Sequence, residues 1–156
     1  MNYILLILLG ISLTSSAFEA IVTAVTDGDT VKIEYQNKTI KVRLAGIDTP
    51  ELTQEFGLEA KKALEEKVLK KKVYIDGDKK DRYGRLIADL KIGSRWINKE
   101  LVEEGYAWHY KQYSKNSDLA KAESSAKKEA KGLWAYHNPI PPWEYRRSNF
   151  RNLNNN

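Results

Sequence analysis

The chain is predicted to form an α+β domain: five strands come early, helices are inserted among them and appended after them, and the sheet closes as a small Greek-key barrel. Three observations carry this reading. Polar and apolar residues alternate by twos through most of residues 18–44. Apolar residues recur every fourth position from Phe56 to Val68. Two later segments with helical patterning are each followed by glycine.

Ile21, Val22 and Val25 lead into Asp27-Gly28-Asp29, after which Thr30-Val31-Lys32-Ile33-Glu34-Tyr35 alternates as a half-buried strand does. Gln36-Asn37-Lys38 reads as a hairpin turn, and Thr39 to Leu44 alternates again before Asp48-Thr49-Pro50-Glu51 ends the meander. Pro50 pushes Thr49 toward an extended conformation, which suits a strand end opening into a loop. Phe56, Ala60, Leu64 and Val68 mark one face of a first helix, with Lys and Glu between them. Val73-Tyr74-Ile75 and Leu86 to Leu90 are two more strands flanking the polar connection Asp81-Arg82-Tyr83-Gly84-Arg85. Ile97 to Glu104 and Asp118 to Lys131 complete a set of three helices, with Gly105 and Gly132 as their left-handed caps. The stretch Asn138-Pro139-Ile140-Pro141-Pro142-Trp143 is expected to be non-helical on account of its prolines, and Arg151 to Asn156 to be a frayed polar tail.

With 156 residues and 42% apolar content the chain can bury one ordinary core. Lys and Arg number 26 against 21 Asp and Glu, for a net charge of +5 and a pI near 9.2. This surplus attracts polyanions and is equally compatible with simple solubility. Residues 1–17 carry no charged side chain, and the apolar run Tyr3 to Leu13 is short for a bilayer span. Followed by Thr14-Ser15-Ser16-Ala17, it reads as a signal peptide cut after Ala17, with an uncleaved membrane tether as the alternative. The expected organisation is therefore an export segment over 1–17, a folded domain over 18–137 and a Pro/Trp-containing tail over 138–156.

Three segments hold the groups that phosphodiester chemistry needs. Asp27-Gly28-Asp29-Thr30 is a tight turn with two carboxylates, which by itself is an ordinary hairpin signal. Arg43 to Glu51 gathers a guanidinium, two carboxylates and a bent backbone at a strand end. An arginine beside Val42 and Leu44 would be partly desolvated unless an anion met it. Asp81 to Arg85 adds a second guanidinium beside Tyr83 and Gly84. A hard cation such as Ca²⁺ takes oxygen ligands, and Asp29, Asp48 and the Thr49 carbonyl offer them. Without cysteine, thiolate sites are excluded, and with His109 and His137 as the two histidines a structural zinc site is disfavoured. A Lewis acid and two guanidinium forks would stabilise charge building on a phosphoryl group, and Glu51 stands where it can take a proton from an attacking water.

These segments resemble, in order and spacing, the three signature segments of the staphylococcal nuclease (thermonuclease) family. The likeness continues through Asn98 to Gly105 and Ala122 to Trp134, and so covers residues from Phe18 to Trp134. The resemblance implies a five-stranded OB-fold barrel with three helices, and Ca²⁺ held by Asp29, Asp48 and the Thr49 carbonyl, with Asp27 supporting it through water. It implies Glu51 as general base, with Arg43 and Arg85 on the phosphate, Arg85 near the leaving 5′ oxygen. DNA or RNA would be cut to 3′-phosphate and 5′-hydroxyl ends by a monomer with no stable protein partner. The stretch after Glu51 is shorter than the namesake's lysine-bearing loop, and Tyr106 to Tyr113 departs from it in detail.

Arg82, Tyr83, Tyr110 and Tyr113 are candidate substrate contacts, the tyrosines by stacking on bases, although aromatics so placed equally serve to cover a core. His109 reads as a surface or packing residue. Two other functions compete. A non-catalytic OB-fold module could hold single strands with its arginines and aromatics, but gains nothing from carboxylates at 29, 48 and 51, which repel phosphate unless a cation lies between. A cell-envelope structural protein would rest on the export segment and the Pro/Trp tail alone.

Overall fold

The computed structural model describes residues 17–154. Along the chain run β1 (Phe18–Asp27), β2 (Thr30–Tyr35), β3 (Lys38–Leu44), β4 (Ile47–Asp48), α1 (Gly57–Val68), β5 (Lys72–Lys80), β6 (Leu86–Ile92), β7 (Arg95–Trp96), α2 (Ile97–Glu103), β8 (Trp108–His109), α3 (Ser117–Lys128), a 3₁₀ turn (Gly132–Ala135) and α4 (Pro142–Asn154). Among these described residues no helix is long and apolar enough to cross a membrane. Apart from Ala17, the expected export segment lies outside them.

The five longer strands are the five expected, and they form a barrel. Antiparallel pairing gives the order β3-β2-β1-β5-β6, with short β7 at the end, and β3 then meets β6 in parallel to close the cylinder. The β2–β3 hairpin turns through Gln36 and Asn37, both left-handed (φ 49° and 59°), as a tight two-residue hairpin turn requires. Alternation puts Val22, Val31, Ile33, Val42, Leu44, Val73, Ile75, Ala88 and Leu90 inside, each at most 1% exposed. The ends of this apolar cylinder are covered by Leu64 and Val68 of α1, Ile97, Leu101 and Val102 of α2, and Leu119 and Ala122 of α3.

Helix boundaries are set by caps and by close packing. Phe56 is not on the helical face of α1. It precedes the helix in a left-handed conformation (φ 69°), and its ring stacks on Tyr106 at 5.6 Å. Gly57 then starts α1 so close to the preceding loop that any Cβ there would collide with the Glu51 carbonyl oxygen. The Asn116 side chain accepts from the N–H groups of Asp118 and Leu119 and so starts α3 one residue before Asp118, at Ser117. α3 stops earlier than expected, at Lys128, because Ala130 rather than a glycine takes the first left-handed position beyond it (φ 50°).

The C-terminal segment corrects the sequence expectation. Three prolines predict a non-helical stretch and a frayed tail, but Pro142 opens a fourth helix, α4, that continues to Asn154. A proline at the first helical position lacks an N–H that would be unsatisfied there in any case, and its fixed φ suits the helix.

One buried polar side chain ties the barrel to α2. Asn98 is fully buried; its Oδ1 accepts from Leu90 N–H at 2.9 Å and its Nδ2 donates to Ala45 O at 3.0 Å and to Asp89 Oδ1 at 3.1 Å. Asn98→Ala would leave several buried partners unsatisfied, at about 1–3 kcal/mol each. We therefore expect a loss of about 3 kcal/mol in urea unfolding, an outcome that a change under 1 kcal/mol would contradict.

Candidate active site

The closing β3–β6 pairing places one arginine segment beside the other. Val42 pairs with Leu86 and Arg43 with Ile87, so Arg85, just before Leu86, comes beside the part of β3 that leads into Arg43. The turn between β1 and β2 reaches the C-terminal end of β3, since Thr30 pairs with Arg43 and Leu44 N–H donates to Asp29 O at 2.8 Å. Beyond β3, the two residues of β4 pair with β8, Asp48 opposite Trp108, which holds the Asp48–Glu51 loop against the barrel mouth. The result is a cleft of about 810 Å³ lined by all ten residues singled out above: Asp29, Arg43, Asp48, Thr49, Glu51, Arg82, Tyr83, Arg85, Tyr110 and Tyr113. Asp27 and Arg146 line it too.

The floor of the cleft is a buried ionic network. Asp29 and Asp48 are 5% and 2% exposed, and Arg43 bridges them, with Nε 3.0 Å from Asp29 Oδ1 and Nη2 2.9 Å from Asp48 Oδ1. Its Nη1 donates to Leu44 O at 2.8 Å. The anion that an arginine in mid-strand needs is thus supplied by the protein itself. Asp29 Oδ2 accepts from both the N–H and the hydroxyl of Thr49 at 3.0 Å, and Asp29 Oδ1 from Thr30 Oγ1 at 3.1 Å. Gly28 makes this contact possible: a Cβ there would sit 2.7 Å from Thr49 Oγ1 and 2.9 Å from Ala60 Cβ.

Burial governs the acidities. It raises Asp27 to about 6, helped by the neighbouring charge of Asp29. It also raises Asp48, against the pull of hydrogen bonds and charge from Arg146 and Arg43. Arg85 is held differently: its Nε donates to Asp81 Oδ2 at 2.7 Å, while Asp81 Oδ1 accepts from the N–H groups of Tyr83 and Arg85 at 2.9 Å each. Burial is the largest single influence and raises it, but these bonds and the Arg85 charge together keep the Asp81 carboxyl below its usual range. Tyr83, 69% exposed, lies under both flanking guanidiniums, with Arg82 at 4.9 Å and Arg85 at 5.5 Å from its ring centre.

The two other tyrosines part company. Tyr113 is 72% exposed and presents an open ring, whereas Tyr110 stacks face to face on Trp143 at 5.3 Å and meets Tyr113 edge-on at 4.7 Å. His109 is buried behind the cleft, its backbone N–H donating to Glu123 Oε1 at 3.1 Å, in keeping with a packing residue.

Arg146, from α4, is the cleft residue that sequence reasoning missed. Its Nη2 lies 2.8 Å from Asp48 Oδ2, and its Nη1 2.6 Å from Glu51 Oε1 and 3.3 Å from Asp48 Oδ1. Burial works to lower its pKa, but the bonds and charges of Asp48 and Glu51 outweigh this and hold it above the usual arginine range. A signal was present: Pro142 at a first helical position, Glu144 in the first turn and Arg151 in the last complement a helix dipole.

For a cofactor, the floor offers oxygen ligands only. Asp29, Asp48 and the Thr49 carbonyl are the donor types a hard divalent cation takes, so the residues fit Ca²⁺ by chemistry. Among the described residues no group of three or more His, Asp or Glu side chains is arranged to hold a metal ion. Both oxygens of Asp48 and one of Glu51 receive guanidinium N–H groups instead.

Comparison with known proteins agrees with the geometry. Residues 41–136 match the family model described as staphylococcal nuclease homologue. A Haemophilus influenzae protein named as an uncharacterized endonuclease is 43% identical over 133 residues, which is 85% of this chain and 75% of that one. A Shigella flexneri protein named micrococcal nuclease is 34% identical over 142 residues, 84% of this chain and 82% of its own. The staphylococcal-like nuclease CAN1 of Arabidopsis thaliana is 39% identical over 125 residues, 74% of this chain, which spans only 38% of that longer protein. A barrel with this cleft, matched by the family model over more than half its length, belongs to the staphylococcal nuclease homologue family.

Proposed function

We propose that the chain is a Ca²⁺-dependent nuclease that hydrolyses phosphodiester bonds of DNA or RNA to 3′-phosphate and 5′-hydroxyl ends. One observation carries the reading: residues from three separate segments put two arginines and the carboxylates Asp29, Asp48 and Glu51 on one cleft. The relatives named as nucleases support it. A cleft that only bound nucleic acid would be weakened by those carboxylates, which repel phosphate unless a cation intervenes.

The position of each group supports a role for it in this proposal. Asp29, Asp48 and the Thr49 carbonyl would hold the cation, which when bound would polarise a phosphoryl oxygen. Glu51, more exposed than the two aspartates, takes a proton from water as that water attacks phosphorus. The new P–O bond forms as the bond to the 5′ oxygen breaks, and that oxygen leaves as a hydroxyl after gaining a proton. Arg43 and Arg85 donate to the equatorial oxygens, where charge builds in the transition state. Arg82, Tyr83 and Tyr113 line the outer cleft, where charge and open rings suit a strand of any sequence. Tyr110 already has one face on Trp143, leaving it the narrower role. We further propose export directed by residues 1–17, on the strength of their uncharged, apolar character.

The test is to incubate purified protein with single-stranded DNA and with RNA, in Ca²⁺ and in chelator. Cleavage should require Ca²⁺ and fall by about 10²-fold or more in Glu51→Gln. Arg43→Ala and Arg85→Ala should each lower kcat by about 10²–10³ with less effect on KM, as expected of groups that act on the transition state. Tight binding without cleavage in Ca²⁺ would instead identify a non-catalytic single-strand module. Saturating Ca²⁺ should also raise the melting temperature, by the equivalent of about 2.7 kcal/mol at a hundred times Kd.

A further inference from the structure

We propose that Arg146 is a tethered cation that competes with the divalent metal for Asp48 and at the same time neutralises Glu51, so that α4 is a latch setting the cation affinity of the cleft. The inference rests on the metal-dependent reading above and concerns a residue outside the matched family segment, residues 41–136.

The contact is a charge-assisted fork. Nη1 and Nη2 of Arg146 reach the two oxygens of Asp48 at 3.3 and 2.8 Å, and Nη1 also reaches Glu51 Oε1 at 2.6 Å. Asp48 Oδ1 is shared with Arg43, so neither oxygen of this buried carboxylate is without a cationic donor. The proposed base, Glu51, is neutralised by the same fork. The Arg146 guanidinium and a divalent ion compete at Asp48 Oδ2, because their like charges repel and both need that oxygen.

The rest of α4 shows how the latch is held and why it can open. Its first turn is anchored: Pro142 is buried, Trp143 stacks on Tyr110 and meets Trp108 edge-on at 5.6 Å, and Tyr145 Oη donates to Thr53 O at 2.9 Å. Ile140 O accepts from Gln54 Nε2 at 2.6 Å, which ties the approach to α4 to the loop bearing Glu51. Beyond Arg146 the residues from Arg147 to Arg151 are exposed, Phe150 at 68%. The N-terminal turn of α4 is thus anchored, whereas the helix beyond Arg146 meets solvent. The Arg146 side chain is 42% exposed although Asp48 is buried, so the guanidinium can swing out to solvent without unpacking the barrel and a divalent cation can take its place.

The experiment is calorimetric titration of Ca²⁺ into metal-free protein without substrate, comparing the wild type with Arg146→Gln, Arg146→Lys and Trp143→Ala, each checked for folding by circular dichroism. A competing latch lowers apparent affinity by the fraction of molecules that are open. Arg146→Gln should therefore bind Ca²⁺ about 5- to 30-fold more tightly. Arg146→Lys, which keeps the charge, should stay nearer the wild type, and Trp143→Ala, which keeps Arg146 and loses its anchor, should fall between wild type and Arg146→Gln. Equal or weaker binding by a folded Arg146→Gln overturns the latch while leaving the proposed function standing. Absence of Ca²⁺ binding in every protein, together with absence of cleavage, would instead overturn the metal-dependent reading.

Discussion

The parallel pairing of β3 with β6 is the contact on which both barrel and cleft depend. Every other long-strand pairing in the sheet is antiparallel and joins neighbours along the sheet, whereas this one closes the cylinder. It also brings the segment carrying Arg85 alongside the strand that carries Arg43. The closure is sealed at its open side by backbone and side chain together: Ala45 N–H donates to Ala88 O at 2.8 Å, and the Asn98 amide spans the Ala45 carbonyl and the Leu90 N–H. A fully buried amide is tolerated there because the strands leave unpaired backbone groups that only a side chain can reach.

The cleft sets buried charge against that apolar barrel. Desolvating Asp29, Asp48 and Arg43 costs several kcal/mol per ion, and their mutual attraction offsets this only because nearly every lone pair is also hydrogen-bonded. The Thr49 N–H and hydroxyl, the Thr30 hydroxyl and the two arginine forks supply those bonds. An apolar floor would hold the barrel at least as well. The network is better understood as a site kept in register by its own counter-charges, with carboxylates positioned before any ligand arrives. Close packing defines its edges, since Gly28 lets Thr49 approach the Asp27–Asp29 turn and Gly57 lets α1 begin against Glu51.

Much of this was legible in the residues. The five long strands follow from alternation, and the three inner helices from apolar recurrence with polar caps, because burial on one face writes a period into the chain. The cleft residues were legible as chemistry, since three segments far apart in sequence carry the groups that phosphate chemistry uses. Errors arose where local signals conflict. Counting prolines in residues 138–143 hid the fact that the last of them, Pro142, sits where a helix accepts proline. A glycine was expected to cap α3, yet Ala130 takes the left-handed position.

What the sequence determined by itself is the kind and order of the parts: which residues alternate, which turn, and which carry charge. Only tertiary structure decided which charges meet. Arg43 faces Asp29 because Thr30 pairs with Arg43 in the sheet, and Arg85 joins them through the β3–β6 register. Arg146 reaches Asp48 and Glu51 because Trp143 finds a flat partner in Tyr110. Long-range pairings of this kind leave no local period, since they are selected by the fit of distant surfaces rather than by spacing along the chain.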